Sequence, residues 1–88
     1  MNESETTRWR HAGSCVEGQP FEIDGVNVWD HEWHPVPGVF AKWREPLHGQ
    51  ECQFEACEIR LGTRTIRFGA GEYSANVYLF ALPVQTDQ

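Results

Sequence analysis

The stretch Cys57-Glu58-Ile59-Arg60-Leu61-Gly62-Thr63-Arg64-Thr65-Ile66-Arg67-Phe68 decides the fold. Apolar and polar residues alternate on both sides of Gly62-Thr63, a Gly-X pair suited to a two-residue type II′ turn between antiparallel strands. So short a loop also fixes the register, with Leu61 opposite Arg64, Ile59 opposite Ile66 and Cys57 opposite Phe68. One face then carries Cys57, Ile59, Leu61, Ile66 and Phe68, and the other carries Glu58, Arg60, Thr65 and Arg67. Glu58 falls opposite Arg67, a cross-strand charge pair of a kind that contributes about 0.2–1 kcal/mol.

A second hairpin is written upstream. Phe21-Glu22-Ile23 and Val26-Asn27-Val28 flank Asp24-Gly25, a pair that favours the type I′ turn, so Phe21, Ile23, Val26 and Val28 share an apolar face. Continued alternation past Val28 would bury Asp30, Glu32 and His34, and burying unpartnered carboxylates is costly. The expectation is therefore a β-bulge near Trp29, or a strand that runs out to the sheet rim, ended by Pro35 and Pro37-Gly38. Before this hairpin, Arg8 to Cys15 reads as a short edge strand with Trp9 and His11 on one side.

Downstream, Val39, Ala41 and Trp43 alternate as in a strand, while Val39, Phe40, Trp43 and Leu47 also fit one face of a short helix that Pro46 would cut. The strand is preferred, followed by a loop over Glu45 to Gln50. Cys52, Phe54 and Ala56 are even-numbered whereas the central hairpin's apolar face is odd-numbered, which predicts a bulge near Glu55 to Cys57. Gly69 to Ser74 reads as a return connection. Val77 to Leu82 is apolar throughout, as in a strand buried on both faces, and Pro83 stops it. The fold class is all-β: one small domain over residues 1–88, with five or six antiparallel strands as a bent sheet, barrel or sandwich, and flexible ends at about 1–7 and 85–88.

Composition limits the partners. Of 88 residues, 23% are charged, and the net charge of −6 comes from thirteen acidic side chains scattered along the chain. Nucleic acid and anionic membranes both need a positive surface, so neither is an expected partner. The stretch before Arg8 has neither a basic leader nor an apolar run, and three cysteines are an odd number for a disulfide framework, which leads to the expectation of a cytoplasmic protein with reduced thiols.

The densest run of functional side chains is Trp29-Asp30-His31-Glu32-Trp33-His34, and these six are the candidate binding residues. Trp29 and Trp33 offer aromatic walls around His31, with Asp30 or Glu32 as polar contacts; the competing reading is that both tryptophans are core. A metal at Asp30, Glu32 and His34 would need completion from His11, His48 or Glu72, which nothing in the sequence brings near. Cys52, Cys57, His11 and Cys15 contain the ligand types of a zinc site, but the His–Cys half is not a common zinc pattern and Cys57 already has an apolar position. Gly69-Ala70-Gly71 lacks the following helix that lets glycine loops hold phosphate. Arg60, Arg64 and Arg67 read as solvated or paired residues.

No catalytic residue, metal or cofactor is assigned, and an enzyme is the less favoured class. The expectation is a small acidic protein-interaction domain that binds another protein or itself, as a homodimer. The alternative is a small-molecule or metal-binding domain, or a small enzyme, with its pocket at Trp29 to His34.

Overall fold

In a computed structural model that describes residues 8–84, the chain forms, in order, β1 (Trp9–Val16), β2 (Glu22–Ile23), β3 (Val26–Asn27), a 3₁₀ turn (Val28–Asp30), β4 (His34–Arg44), β5 (Glu51–Leu61), β6 (Arg64–Ser74) and β7 (Val77–Pro83). The domain is all-β. β1, β7, β6, β5 and β4 lie side by side in one antiparallel sheet, and β2 with β3 makes a separate two-stranded ribbon. The expected flexible ends lie outside the described residues. Among the described residues no helix is long and apolar enough to cross a membrane.

The central hairpin has the register its turn dictates: Leu61 opposite Arg64, Ile59 opposite Ile66, Cys57 opposite Phe68. Gly62 sits at φ 62°, the left-handed first position that a type II′ turn requires. Arg67 donates from Nη2 and Nε to Glu58 Oε2 at 2.8 and 3.2 Å. This exposed pair is worth little, so Arg67→Gln is expected to lower stability by less than about 1 kcal/mol, with the difference shrinking at high salt. Urea denaturation at two ionic strengths checks it; a salt-independent loss would show that the guanidinium acts by packing instead.

The sheet is strongly curled. Strands two places apart in a flat sheet stand about 9.6 Å from one another, and four places apart about 19 Å. Here a Cβ on Gly69 of β6 would overlap Ala41 Cβ of β4 and stand 3.8 Å from Ala41 Cα. Across the four-place gap, Trp43 Nε1 of β4 donates to His11 Nδ1 of β1 at 3.1 Å. β1 and β4 form no ladder, so the sheet approaches a barrel without closing.

Curling divides the core in two. On the concave side Ala41, Trp43, Cys52, Leu79 and Ala81 pack with Trp9, Phe54 and Tyr73. Against the opposite face, Ile59, Ile66, Phe68 and Phe80 are covered by Ile23 of the β2–β3 ribbon and by Val28 of the 3₁₀ turn. β7 serves both cores, since Leu79 and Ala81 belong to the first and Phe80 to the second, all three fully buried. This is the two-sided burial its apolar run implies.

Four local expectations are corrected. The strand does not continue through Trp29: Asn27 Oδ1 accepts the N–H of Trp29 at 3.3 Å and caps the 3₁₀ turn, which buries Val28 and leaves Asp30 exposed. Pro35 and Pro37-Gly38 do not end a strand but lie within β4, an edge strand, where missing N–H groups are tolerated. The irregularity expected in β5 near Glu55 to Cys57 is carried by its partner instead; Pro35 pairs with Cys57 and Phe40 with Glu55, so four residues of β4 bulge against Ala56. β5 keeps its alternation because its even residues face one core and its odd residues the other. Finally, Gly69 to Ser74 is strand and not connection, and the turn falls at Ala75-Asn76, where both residues have positive φ.

Candidate functional site

The 3₁₀ turn splits the six candidate residues into two groups. Trp29 and Trp33 are partly buried against the core cluster of Phe68 and Phe80, with ring centroids 5.0 Å apart. Tyr78 meets both rings edge-on, at 5.2 Å from Trp29 and 6.2 Å from Trp33. Trp33 Nε1 donates to Val28 O at 2.7 Å. The indole N–H of Trp29 is buried with no acceptor among the described residues. Asp30, His31 and Glu32 are exposed on the turn beside these rings, and His34 is partly buried at the start of β4, opposite Glu58. The arrangement is an aromatic ledge of three half-buried rings with an exposed rim bearing two carboxylates and an imidazole.

The remaining candidates are kept apart or paired. Cys52 belongs to the concave core, whereas Cys15 and Cys57 pack on the opposite face, and all three are free thiols. Burial, reinforced by the charge of Glu45, pushes the Cys52 thiol up, and burial with the charge of Glu55 does the same to Cys57. A thiol held in its protonated form is a poor nucleophile. No three His, Cys, Asp or Glu side chains among the described residues converge to hold a metal ion. Arg64 stands 3.8 Å from Asp24, Arg60 3.9 Å from Glu58, and Arg67 on Glu58 directly.

A polar cluster that sequence reading passed over as a loop lies at the β4–β5 connection. Glu45 is solvent-inaccessible. Its Oε1 accepts N–H groups of Leu47 and His48 at 2.6 and 3.0 Å, and Oε2 accepts those of His48 and Gln50 at 3.1 Å each. Tyr73 O–H lies 3.3 Å from Oε2 and 3.0 Å from Gln50 Oε1, and 2.7 Å from His48 Nδ1. Burial alone would raise the Glu45 carboxyl pKa, but the backbone donors of His48, Gln50 and Leu47 and the nearby imidazole reverse the direction and hold it below its ordinary value. Tyr73 moves the other way, raised by burial and by the adjacent Glu45 charge. With its acceptor sites occupied, Glu45 anchors the loop. The available signal was Glu45-Pro46 followed by His48-Gly49, a carboxylate ahead of a tight turn.

The comparisons with protein-family models, curated proteins and solved structures bring no match to this chain.

Proposed function

We propose that this is a non-catalytic protein-interaction domain, whose contact surface is the Trp29, Trp33 and Tyr78 ledge with its rim of Asp30, His31 and Glu32. The observation that carries the reading is the incomplete burial of three large aromatic rings around a fully buried Phe80. Aromatic anchors surrounded by polar side chains are the composition of interface centres. The two rim carboxylates select a partner segment that presents apolar and basic side chains. Two copies meeting through this rim would set carboxylates against carboxylates, so the partner here is a different protein. A cytoplasmic setting fits the three free thiols.

A photo-crosslinking residue placed at exposed position 31 should yield a discrete protein adduct in the producing cell, and one at exposed position 63 should not. Asp30→Lys with Glu32→Lys should reduce that adduct severalfold while changing stability by no more than about 0.5 kcal/mol, as for other surface substitutions. Equal adducts from both positions, or indifference to the charge reversal, would remove the basis for the ledge.

Self-association is a second form of the reading, favoured by a different surface. Phe40 is 50% exposed on β4. Beside it, exposed Lys42 and Arg44 stand opposite exposed Gln53 and Glu51, so both signs of charge lie in one row. Such a row can meet its own copy across a two-fold axis. Native mass spectrometry should then show a dimer that Phe40→Glu dissociates.

A further inference from the structure

Tyr78 links the aromatic ledge to a second pair of carboxylates. On β6, Glu72 stands directly opposite Tyr78, so the two side chains rise from the same face of the sheet with Cβ atoms about 5 Å apart. On the other flank Cys15 of β1 pairs with Tyr78, and Glu17, two residues further on, donates its N–H to Asn76 O at 2.7 Å, beside the β6–β7 turn. Glu17 and Glu72 are both exposed. Burial first, and then the charges of Glu17 and Glu72, hold the Tyr78 hydroxyl above its ordinary pKa, so both carboxylates act on this ring. With Asp30 and Glu32 on the turn that carries Trp29, four carboxylates flank the three rings.

Three acidic residues elsewhere have cations of their own: Arg60 and Arg67 stand by Glu58, Arg64 by Asp24, and His48 by Glu45. Around the ledge the charges are unmatched. Among the described residues no basic side chain, His31 included, comes within ion-pair distance of Glu17, Asp30, Glu32 or Glu72. Glu72 Oε2 accepts the N–H of Asn76 at 3.1 Å, which leaves its charge without a counter-ion. We propose that the partner of the ledge anchors an arginine side chain here, laid against Tyr78 and the adjoining indole with its guanidinium edge turned to Glu72 and Glu17. This names the occupant of the contact surface proposed above and rests on that reading.

Ring geometry and charge together select the guanidinium. A cation over an aromatic face is attracted by the ring quadrupole, more strongly where water is partly excluded. Tyr78 stands at 89° to Trp29 and 82° to Trp33, so the rings form a corner and not a stack. A flat cation laid on one wall of a corner meets the other with its edge. The guanidinium is planar and weakly hydrated, and the N–H groups along its edge pair with a carboxylate while its face covers a ring. A lysine ammonium is a compact, strongly hydrated charge and serves both contacts less well. An acidic side chain in the same place meets four carboxylates, which excludes acidic segments as partners.

The test is a titration of the isotopically labelled full chain with acetyl-Gly-Leu-Arg-Leu-Gly-amide, followed by amide and indole N–H resonances. Perturbations concentrated at Glu17, Trp29, Trp33, Glu72 and Tyr78, with an affinity that falls as salt is added, are the expected result. The same peptide with citrulline, which keeps the shape of arginine without its charge, should not bind at concentrations that saturate the parent. The lysine peptide should bind about two- to fivefold more weakly. Glu17→Gln and Glu72→Gln should each weaken binding about two- to fivefold, the scale of one exposed ion pair. Glu72→Gln retains an acceptor for the N–H of Asn76, so the turn is kept. Tyr78→Leu, on a sample whose amide spectrum shows the fold intact, should abolish the preference for arginine over lysine. Equal binding of the citrulline or the lysine peptide, unchanged binding in both glutamine variants, or no perturbation at millimolar peptide would each overturn the arginine seat. The adduct from position 31 separates that failure from a failure of the ledge: if it persists, the ledge holds its partner through another side chain, and if it is lost as well, the ledge itself falls.

Discussion

Gly69→Ala is expected to cost this domain about 2–3 kcal/mol, the upper part of the range for overpacking a tight core, and to lower the melting temperature by roughly 10–20 °C. The new methyl would be driven into Ala41 Cβ. Ala41 is fully buried and has no side-chain torsion to turn away, so relief requires β4 to retreat as a strand. That retreat would also draw Trp43 from His11 and loosen the gap between β4 and β1. The loss outweighs the roughly 0.4–1 kcal/mol that alanine returns by restricting the unfolded chain. Gly71→Ala is the control: its methyl would strike the ring of Phe54, which is only partly buried and can rotate. It should cost clearly less, and thermal and urea denaturation of both variants decide the matter. Equal losses would mean that the sheet is less tightly curled at Ala41 than at Phe54.

Glu45→Gln is expected to destabilise the fold more than Arg67→Gln does, although it removes no atom from the packing. Both carboxylate oxygens accept hydrogen bonds, from Leu47 and His48 on one and from His48, Gln50 and Tyr73 on the other. In either orientation the amide of glutamine turns an N–H group toward donors. The pH dependence follows from the lowered folded-state pKa. The charged form is favoured by folding, so its contribution is fully present above the unfolded value near 4.5 and is lost as pH falls through the lower folded value. The gap in melting temperature between wild type and Glu45→Gln should hold steady from neutral pH to about 5.5 and narrow below 4.5. A gap that stays constant down to pH 3 would show that Glu45 does not titrate with folding.

What was legible in the chain was whatever depended on neighbours in sequence. Gly62-Thr63 and Asp24-Gly25 fix their turns locally, and the register of β5 on β6 and the apolar face of the β2–β3 ribbon follow from them. The strand preference for Val39 to Arg44 also holds in the structure. What was hidden depended on contacts made at a distance. The parity change along β5 reflects two cores on opposite faces, which a rule assuming one buried face turns into a bulge. Gly69 and Gly71 looked like punctuation because their reason, the approach of Ala41 and Phe54, comes from other strands. The six-residue run from Trp29 to His34 was visible as composition, but its division into a packed pair and an exposed rim follows from one hydrogen bond of Asn27. Glu45 is the exception, since its backbone donors at Leu47, His48 and Gln50 are near in sequence and only its phenolic partner, Tyr73, lies far along the chain.

The pairing of β1 with β7, which sets Trp9 opposite Pro83, also constrains the order of assembly. β4 to β7 form a meander in which each strand pairs with the next across a short connection, so their loops close at small entropic cost. β1 has no such neighbour; it must wait for β7, almost the whole described chain away. Non-local closures of this kind slow folding toward the millisecond-to-second range of β proteins. During vectorial synthesis the strand that emerges early is thus among the last to find its place, and until β7 arrives Trp9 and the edges of β1 and β6 remain uncovered. That interval, before the mature fold exists, is when this domain is most exposed to aberrant pairing with other nascent chains.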